Sequence, residues 1–293
     1  MLARRTFITT IAKAAGAAAV LSVPGAAMAA RKSYTVREVM DIILKDIPGA
    51  PFQQTVDTLK SGSDTQVVSG IVTTMFATIA VIEEAARRKA NFIIAHEPTF
   101  YNHQDDTNWS GQNHIVRRKQ ELLKQHNIAV WRFHDYWHTH RPDGVGYGVL
   151  KKTGWLQYYK PGNTILHLPP ASLQQVVSTL KQSLGIRQLR VIGDLSQSCE
   201  RIALLPGAAG GQRQIALVEK EQPDVLIAGE VHEWETAEYI RDARQLGSKT
   251  ALIVLGHSQS EEPGMEWLVD WLQPKLQGVT VTHITSGNPF TFV

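Results

Sequence analysis

Three short runs in this chain are almost wholly apolar, and each leads straight into a histidine: FIIA at 92–95 into His96, AVWRF at 129–133 into His134, and ALIVLG at 251–256 into His257. A run without a polar face forms a strand only where the sheet is covered on both sides, as parallel sheets are when helices wrap them. The intervening stretches supply such helices. TMFATIAVIEEAARRK at 74–89 and the segment 115–125 repeat apolar residues at helical spacing, and so does 34–47, where Val36, Val39, Ile42, Ile43 and Ile47 form one stripe. A further strand is predicted over 64–71. In the last third the alternation returns, with DVLIAGE at 224–230, a helix from Trp234, TALIVLGH at 250–257, another helix and VTVTHI at 279–284.

Between these parts, Pro161-Gly162 opens a section with a strand over 164–168, a helix over 172–184 opened by Pro169-Pro170, strands over 189–192 and 201–205, and a Gly-rich PGAAGG at 206–211. The predicted fold is therefore α/β: two similar layered halves with a small α/β insert, divided as 30–160, 161–211 and 212–293. A hydrophobic content of 43% in 293 residues is enough to bury a sizeable core.

Ligands of open α/β sheets gather at the carboxyl ends of strands, so three strand ends carrying imidazoles point to one crevice. Around them lie Glu97 beside His96, Asp135, His138 and His140 after His134, and Glu261 four residues after His257, where a helix would place both on one face. This nitrogen and oxygen donor set suits zinc, manganese, iron or cobalt. The single cysteine, Cys199, excludes a thiolate cluster and an intrachain disulfide. PGAAGG lacks the Lys-Ser/Thr that a nucleotide loop requires, and Ser258 and Ser260 beside His257 lack the pattern of a nucleophile elbow. Trp131, Tyr136, Trp137 and Trp234 offer an aromatic surface for an adaptor role, or equally a core.

The first 29 residues hold Arg4-Arg5 followed by Thr6, Phe7 and Ile8, an alanine-rich run, and small residues at Ala27 and Ala29. They resemble a twin-arginine export signal cleaved after Ala29, which implies a periplasmic protein without a stable membrane anchor. They also carry Arg4, Arg5 and Lys13 and no acid, so their removal takes the net charge from +3 to zero. Nucleic acid is not an expected partner of such a chain.

The order of motifs resembles the Nif-three-like family of dinuclear-metal-centre hexameric proteins. The matching segments are His-x-Pro at His96 to Pro98, the His-x3 segment from His134 to His138, Gly229, Glu230 and His232, Gly-His-x-x-Ser-Glu at Gly256 to Glu261, and the closing Pro289-Phe290. The resemblance spans roughly residues 35–293. It implies two divalent metal ions, a first ligand at His96, a late pair at His257 and Glu261 with Glu261 bridging, and a homo-oligomer, a hexamer with sites facing an inner cavity. Two positions depart from the family. Glu97 replaces the second His of a His-His-Pro, and His138 stands where the family has an aspartate, with Asp135 nearby as a substitute ligand. Glu230 and His232 are read as general acid/base candidates or as supports of the ligands. The expected function is metal-dependent hydrolysis of a small (phospho)metabolite; the alternative is a metal carrier or store, favoured by extra histidines such as His103, His114 and His140.

Overall fold

In the computed structural model, residues 32–110 and 113–293 are described; the expected export signal at 1–29 lies outside them. Ten strands and nine α-helices are described. The strands are β1 (Leu59–Ser61), β2 (Ile71–Thr74), β3 (Phe92–Ala95), β4 (Ala129–Arg132), β5 (Ile165–Ser172), β6 (Arg190–Ile192), β7 (Ser198–Leu205), β8 (Val225–Ala228), β9 (Ala251–Val254) and β10 (Val281–His283). The helices are α1 (Val36–Leu44), α2 (Ile79–Arg87), α3 (His114–Gln125), α4 (Asp135–Thr139), α5 (Gly144–Thr153), α6 (Leu173–Leu184), α7 (Gly211–Glu221), α8 (Glu238–Gln245) and α9 (His257–Leu272).

The strands form two five-stranded sheets, ordered β1-β4-β3-β2-β10 and β5-β7-β8-β9-β6. Each has a parallel centre and antiparallel pairing at an edge: β4, β3, β2 and β10 run parallel with β1 against them, and β7, β8 and β9 run parallel between β5 and β6. The apolar runs are buried on both faces, as their lack of a polar side requires. Phe92 and Ile94 face α1 and α9, together with Val39, Ile43, Met265 and Leu268, while Ile93 and Ala95 face α2 and α3. In the second sheet Ile202, Val225 and Ile227 meet α6, and Leu226 and Ala228 meet α7 and α8 through Val218 and Ile240. The segment 161–211 thus lends β5, β6 and β7 to the same sheet as β8 and β9.

Several local expectations are corrected. The strand predicted over 64–71 is a turn with one isolated bridge, and the strand begins only at Ile71; the helix predicted from Thr74 starts at Ile79, capped by the Thr78 hydroxyl, which accepts from Val81 N. Pro169 and Pro170 do not open a helix. They lie in β5, where the pairing with β7 is irregular between His167 and Ala171, so the missing N–H groups break no ladder, and α6 is instead opened by a capping box of Ser172 and Gln175. The short β1 was not anticipated, and neither was α5, whose GVGYGVLKKT is buried on most sides and shows little helical amphipathicity.

One helix ties the sheets together. α9 begins at the carboxyl end of β9 in the second sheet, yet its Met265, Leu268 and Leu272 pack on the first, and the chain then adds β10 to that sheet. α9 crosses α5 with the two backbones in contact. A Cβ on Gly264 would lie 2.6 Å from Val145 Cα, and one on Gly148 would lie 2.4 Å from the Pro263 carbonyl.

Candidate metal centre

Five strands from the parallel centres of the two sheets lead to one cleft: β3 delivers His96 and Glu97, β4 leads to His134 and the short α4 carrying His138, β7 ends in the Pro206 loop, β8 leads to Glu230 beside His257, and β9 leads to His257 and, one helical turn on, Glu261. His96, His134 and His138 have ligand atoms within 4.8 Å of one another, as do His96, Glu97 and Glu261, so His96 belongs to two overlapping triads able to hold a metal ion.

Each of the four imidazoles is held from behind through Nδ1 by an acceptor. His96 Nδ1 donates to the Phe133 carbonyl at 3.1 Å, His134 Nδ1 to Asp135 Oδ1 at 2.9 Å, and His138 Nδ1 to Asp143 Oδ2 at 3.0 Å. His257 Nδ1 faces Glu230 Oε2 at 3.3 Å. With a proton fixed on each Nδ1, the four Nε2 atoms are turned toward Glu97 and Glu261. His257 Nε2 lies 3.0 Å from Glu261 Oε2 and 3.3 Å from Glu97 Oε1; His134 Nε2 lies 3.6 Å from Glu97 Oε1; and His138 Nε2 lies 3.9 Å from Glu261 Oε1. His96 Nε2 is fully buried without a hydrogen bond, 3.4 Å from Glu261 Oε2. A buried nitrogen so left costs about 1 to 3 kcal/mol, which a metal ion bound there would recover.

The electrostatics agree. Burial opposes ionisation of Glu261, but His96 and His257 outweigh it and hold its carboxyl well below the usual carboxylate range. Burial likewise pulls His257 down, yet its contacts with Glu230, Glu261 and Glu97 push it up to about 12. Burial and the neighbouring His96 pull His134 down to about 4, so that ring is neutral and available as a donor. The site thus supplies concentrated negative charge that a cation would balance.

The first glycine of PGAAGG has a specific task. Gly207 has φ +65°, and a Cβ there would stand 2.0 Å from Glu261 Oε1, so the loop leaves room for the carboxylate rather than for a nucleotide phosphate. Three supporting residues escaped the sequence reading. Asp143 caps α5 through Gly146 N at 2.9 Å and holds His138 with its other oxygen. Asp57, pushed up to about 6 chiefly by burial, accepts from His134 N and Tyr136 N, both at 2.8 Å. Arg132, fully buried, donates Nε to the His96 carbonyl at 3.3 Å and Nη1 to the His103 carbonyl, and faces Glu97 Oε2 through Nη2 at 3.4 Å. An arginine inside an apolar run was a readable signal. Asp57 carried none.

Not every singled-out residue enters the cluster. Asp135 has both oxygens occupied, one by His134 and the other by Thr55 Oγ1 and Val56 N, so it orients a ligand and is in neither triad, whereas His138 is. His232 pairs with Glu235 at 3.1 Å and stacks on Trp234 in an exposed turn, while Glu230 reaches the cluster through His257. His140 is buried among Trp137, Trp267 and Trp271 with Nδ1 on the Pro142 carbonyl at 2.7 Å. His103 lines the cleft; His114 starts α3 on the surface. Trp131, Tyr136 and Trp137 are core residues, and only Trp234 of that aromatic set is exposed.

The family model described as Duf34/NIF3 (NGG1p interacting factor 3) matches residues 34–289. Among curated relatives, a GTP cyclohydrolase 1 type 2 homolog of Clostridium perfringens is 22% identical over 266 residues, covering 86% of this chain and 97% of the relative. A protein of the same description from Salmonella typhimurium is 26% identical over 234 residues, covering 76% and 87%. Among solved structures, a Bacillus cereus protein related to NIF3 aligns with a TM-score of 0.70 at 16% identity over 89% of this chain and all of that one. A Staphylococcus aureus hypothetical protein aligns at 0.69 with 20% identity, over 88% and 99%. At these identities the structural likeness speaks for the fold alone.

Proposed function

This chain belongs to the Duf34/NIF3 family, and on that premise we propose that its cleft holds two divalent transition-metal ions and hydrolyses a small anionic metabolite. The observation that carries the reading is the convergence of four Nε2 atoms, each with its Nδ1 held by an acceptor, on the paired carboxylates of Glu97 and Glu261. Zinc, manganese, iron and cobalt all suit this donor set. The chemistry such ions supply is Lewis acidity and the acidification of a water molecule toward neutral pH.

The side chains divide the remaining work. Glu261 has one oxygen toward His96 and His257 and the other toward His138, which supports its role as the bridge between two sites. Glu97, braced by Arg132, contributes an oxygen beside His134 and His257. Glu230 is half-exposed and touches His257 Nδ1, a position from which a carboxylate can accept a proton and pass it to solvent. Both curated relatives are described as GTP cyclohydrolase 1 type 2 homologues, which supports hydrolysis as the reaction class. Export by the twin-arginine route, resting on Arg4-Arg5 and Ala29, and assembly as a homo-oligomer complete the proposal.

Elemental analysis and turnover of wild type and Glu261→Gln test it together. The expected result is about two ions per chain in the wild type, loss of at least one in the variant, and a divalent-metal-dependent hydrolysis that the variant lacks. Full activity of Glu261→Gln overturns the mechanism. One feature favours the carrier reading: the exposed His103 stands at the cleft with its ring 5.9 Å from that of His134, placed to relay an ion in transit. That reading predicts rapid metal exchange, slowed in His103→Ala, without turnover on a broad substrate panel.

A further inference from the structure

The metal cleft does not end at its ligands. Asp143, Gly146, Leu204, Leu205 and Arg213 line it, and the same five residues line an adjoining cavity of about 410 Å³. That second space differs in character, being walled by Leu150, Leu166, Leu217, Tyr147 and Tyr159. Its size and apolar lining are those of a small-molecule site.

Charge indicates what it takes. α7 presents Arg213, Ala216, Leu217 and Lys220 to the recess, a spacing that falls on one helical face and sets a cation at each end of an apolar strip. The side chain of Arg213 makes no hydrogen bond or ion pair among the described residues, and that of Lys220 pairs there only with its neighbour Glu221, at 3.0 Å. An uncommitted guanidinium shared by a carboxylate-rich metal cleft and an apolar recess matches a molecule with an anionic group beside a flat hydrophobic body.

We propose that this recess sets the substrate class: a phosphate monoester of a one- or two-ring apolar alcohol, with its phosphate between Arg213 and the metal cleft and its rings against Leu150, Leu217 and Tyr147. The proposal rests on the hydrolase reading above. Hydrolysis of such an ester forms one P–O bond to the water oxygen, breaks the ester P–O bond, and returns a proton to the departing oxygen, giving the alcohol and inorganic phosphate.

Non-hydrolysable probes test it on the metal-loaded full chain by calorimetry: 1-naphthylphosphonate against methylphosphonate. The expected result is naphthyl binding at least about tenfold tighter. Ala216→Trp, an exposed position whose new ring fills the recess, abolishes that preference while leaving methylphosphonate affinity, metal content and melting temperature unchanged. Arg213→Gln weakens both probes about tenfold. Equal affinities in the wild type, or a preference that survives Ala216→Trp, overturns the recess while the metal site stands. Wild-type protein without stoichiometric metal overturns the site reading and this proposal with it.

Discussion

A histidine binds metal only as well as the group behind it allows, and here two of the backing groups, Asp135 and Asp143, have a second structural duty. Asp143 is the clearest case, since it caps α5 while fixing the tautomer of His138. Asp143→Ala is expected to cost about 1 kcal/mol through the cap and about 10- to 100-fold in metal affinity through the histidine. Asp143→Ser keeps a capping hydroxyl too short for the imidazole, so a competition titration should show the affinity loss alone. Away from the centre, Lys119 is 3% exposed, with Nζ donating to the Thr99 carbonyl at 2.6 Å, and burial pulls it down to about 8. Because its folded pKa lies below the ordinary 10.5, the unfolded chain binds more protons between about pH 8 and 10.5, and stability rises with pH across that window. Denaturant unfolding should therefore show wild type gaining on Lys119→Met by about 2 to 3 kcal/mol from pH 7 to 10.5; a constant difference refutes the sign. At this scale His96, Glu97, His257 and Glu261 were legible because each stands at a strand end or at helical spacing from one. Asp57 and Asp143 were not, because a carboxylate in a loop looks the same whether it serves solvent or the backbone of a distant element.

At the scale of elements, short and nearly apolar runs marked the buried strands, and β3, β4, β8 and β9 lie within one to three residues of where the sequence placed them. The failures have a common physical cause. α5 is apolar around most of its circumference, so periodicity has no polar face to register, and Pro169-Pro170 marks a break in a ladder as readily as the start of a helix. The α5–α9 crossing was equally invisible, although the glycines that permit it are in plain view. Gly264→Ala would force a methyl against Val145 Cα, so a destabilisation of about 1 to 3 kcal/mol is expected. The same shift moves the helix carrying His257 and Glu261 against the one anchored by Asp143, so metal content should fall in parallel. Unfolding midpoints and elemental analysis on one preparation check both outcomes, and a variant that loses stability yet keeps full metal affinity would show that the crossing does not set the site.

For the whole molecule, the ligands come from strand ends of both sheets, so an ion bound there links the two layers. Chelation is expected to lower the stability of the entire fold in a single transition, by about 2.7 kcal/mol relative to protein held at a metal concentration 100 times the dissociation constant. Calorimetry with and without chelator checks this, and two separate transitions would mean that the layers unfold independently. A consequence in time follows from the placement of β10 and α9. β2 waits for a partner strand more than 200 residues later in synthesis, with its register to Val281–His283 set only when that segment has emerged. A nascent chain stalled before residue 250 already displays His96, Glu97, His134 and His138 but has neither His257 nor Glu261. The two candidate triads would thus be completed at different times: the one of His96, His134 and His138 is already present in the unfinished chain, and the one that needs Glu261 waits for the last fifth of the sequence.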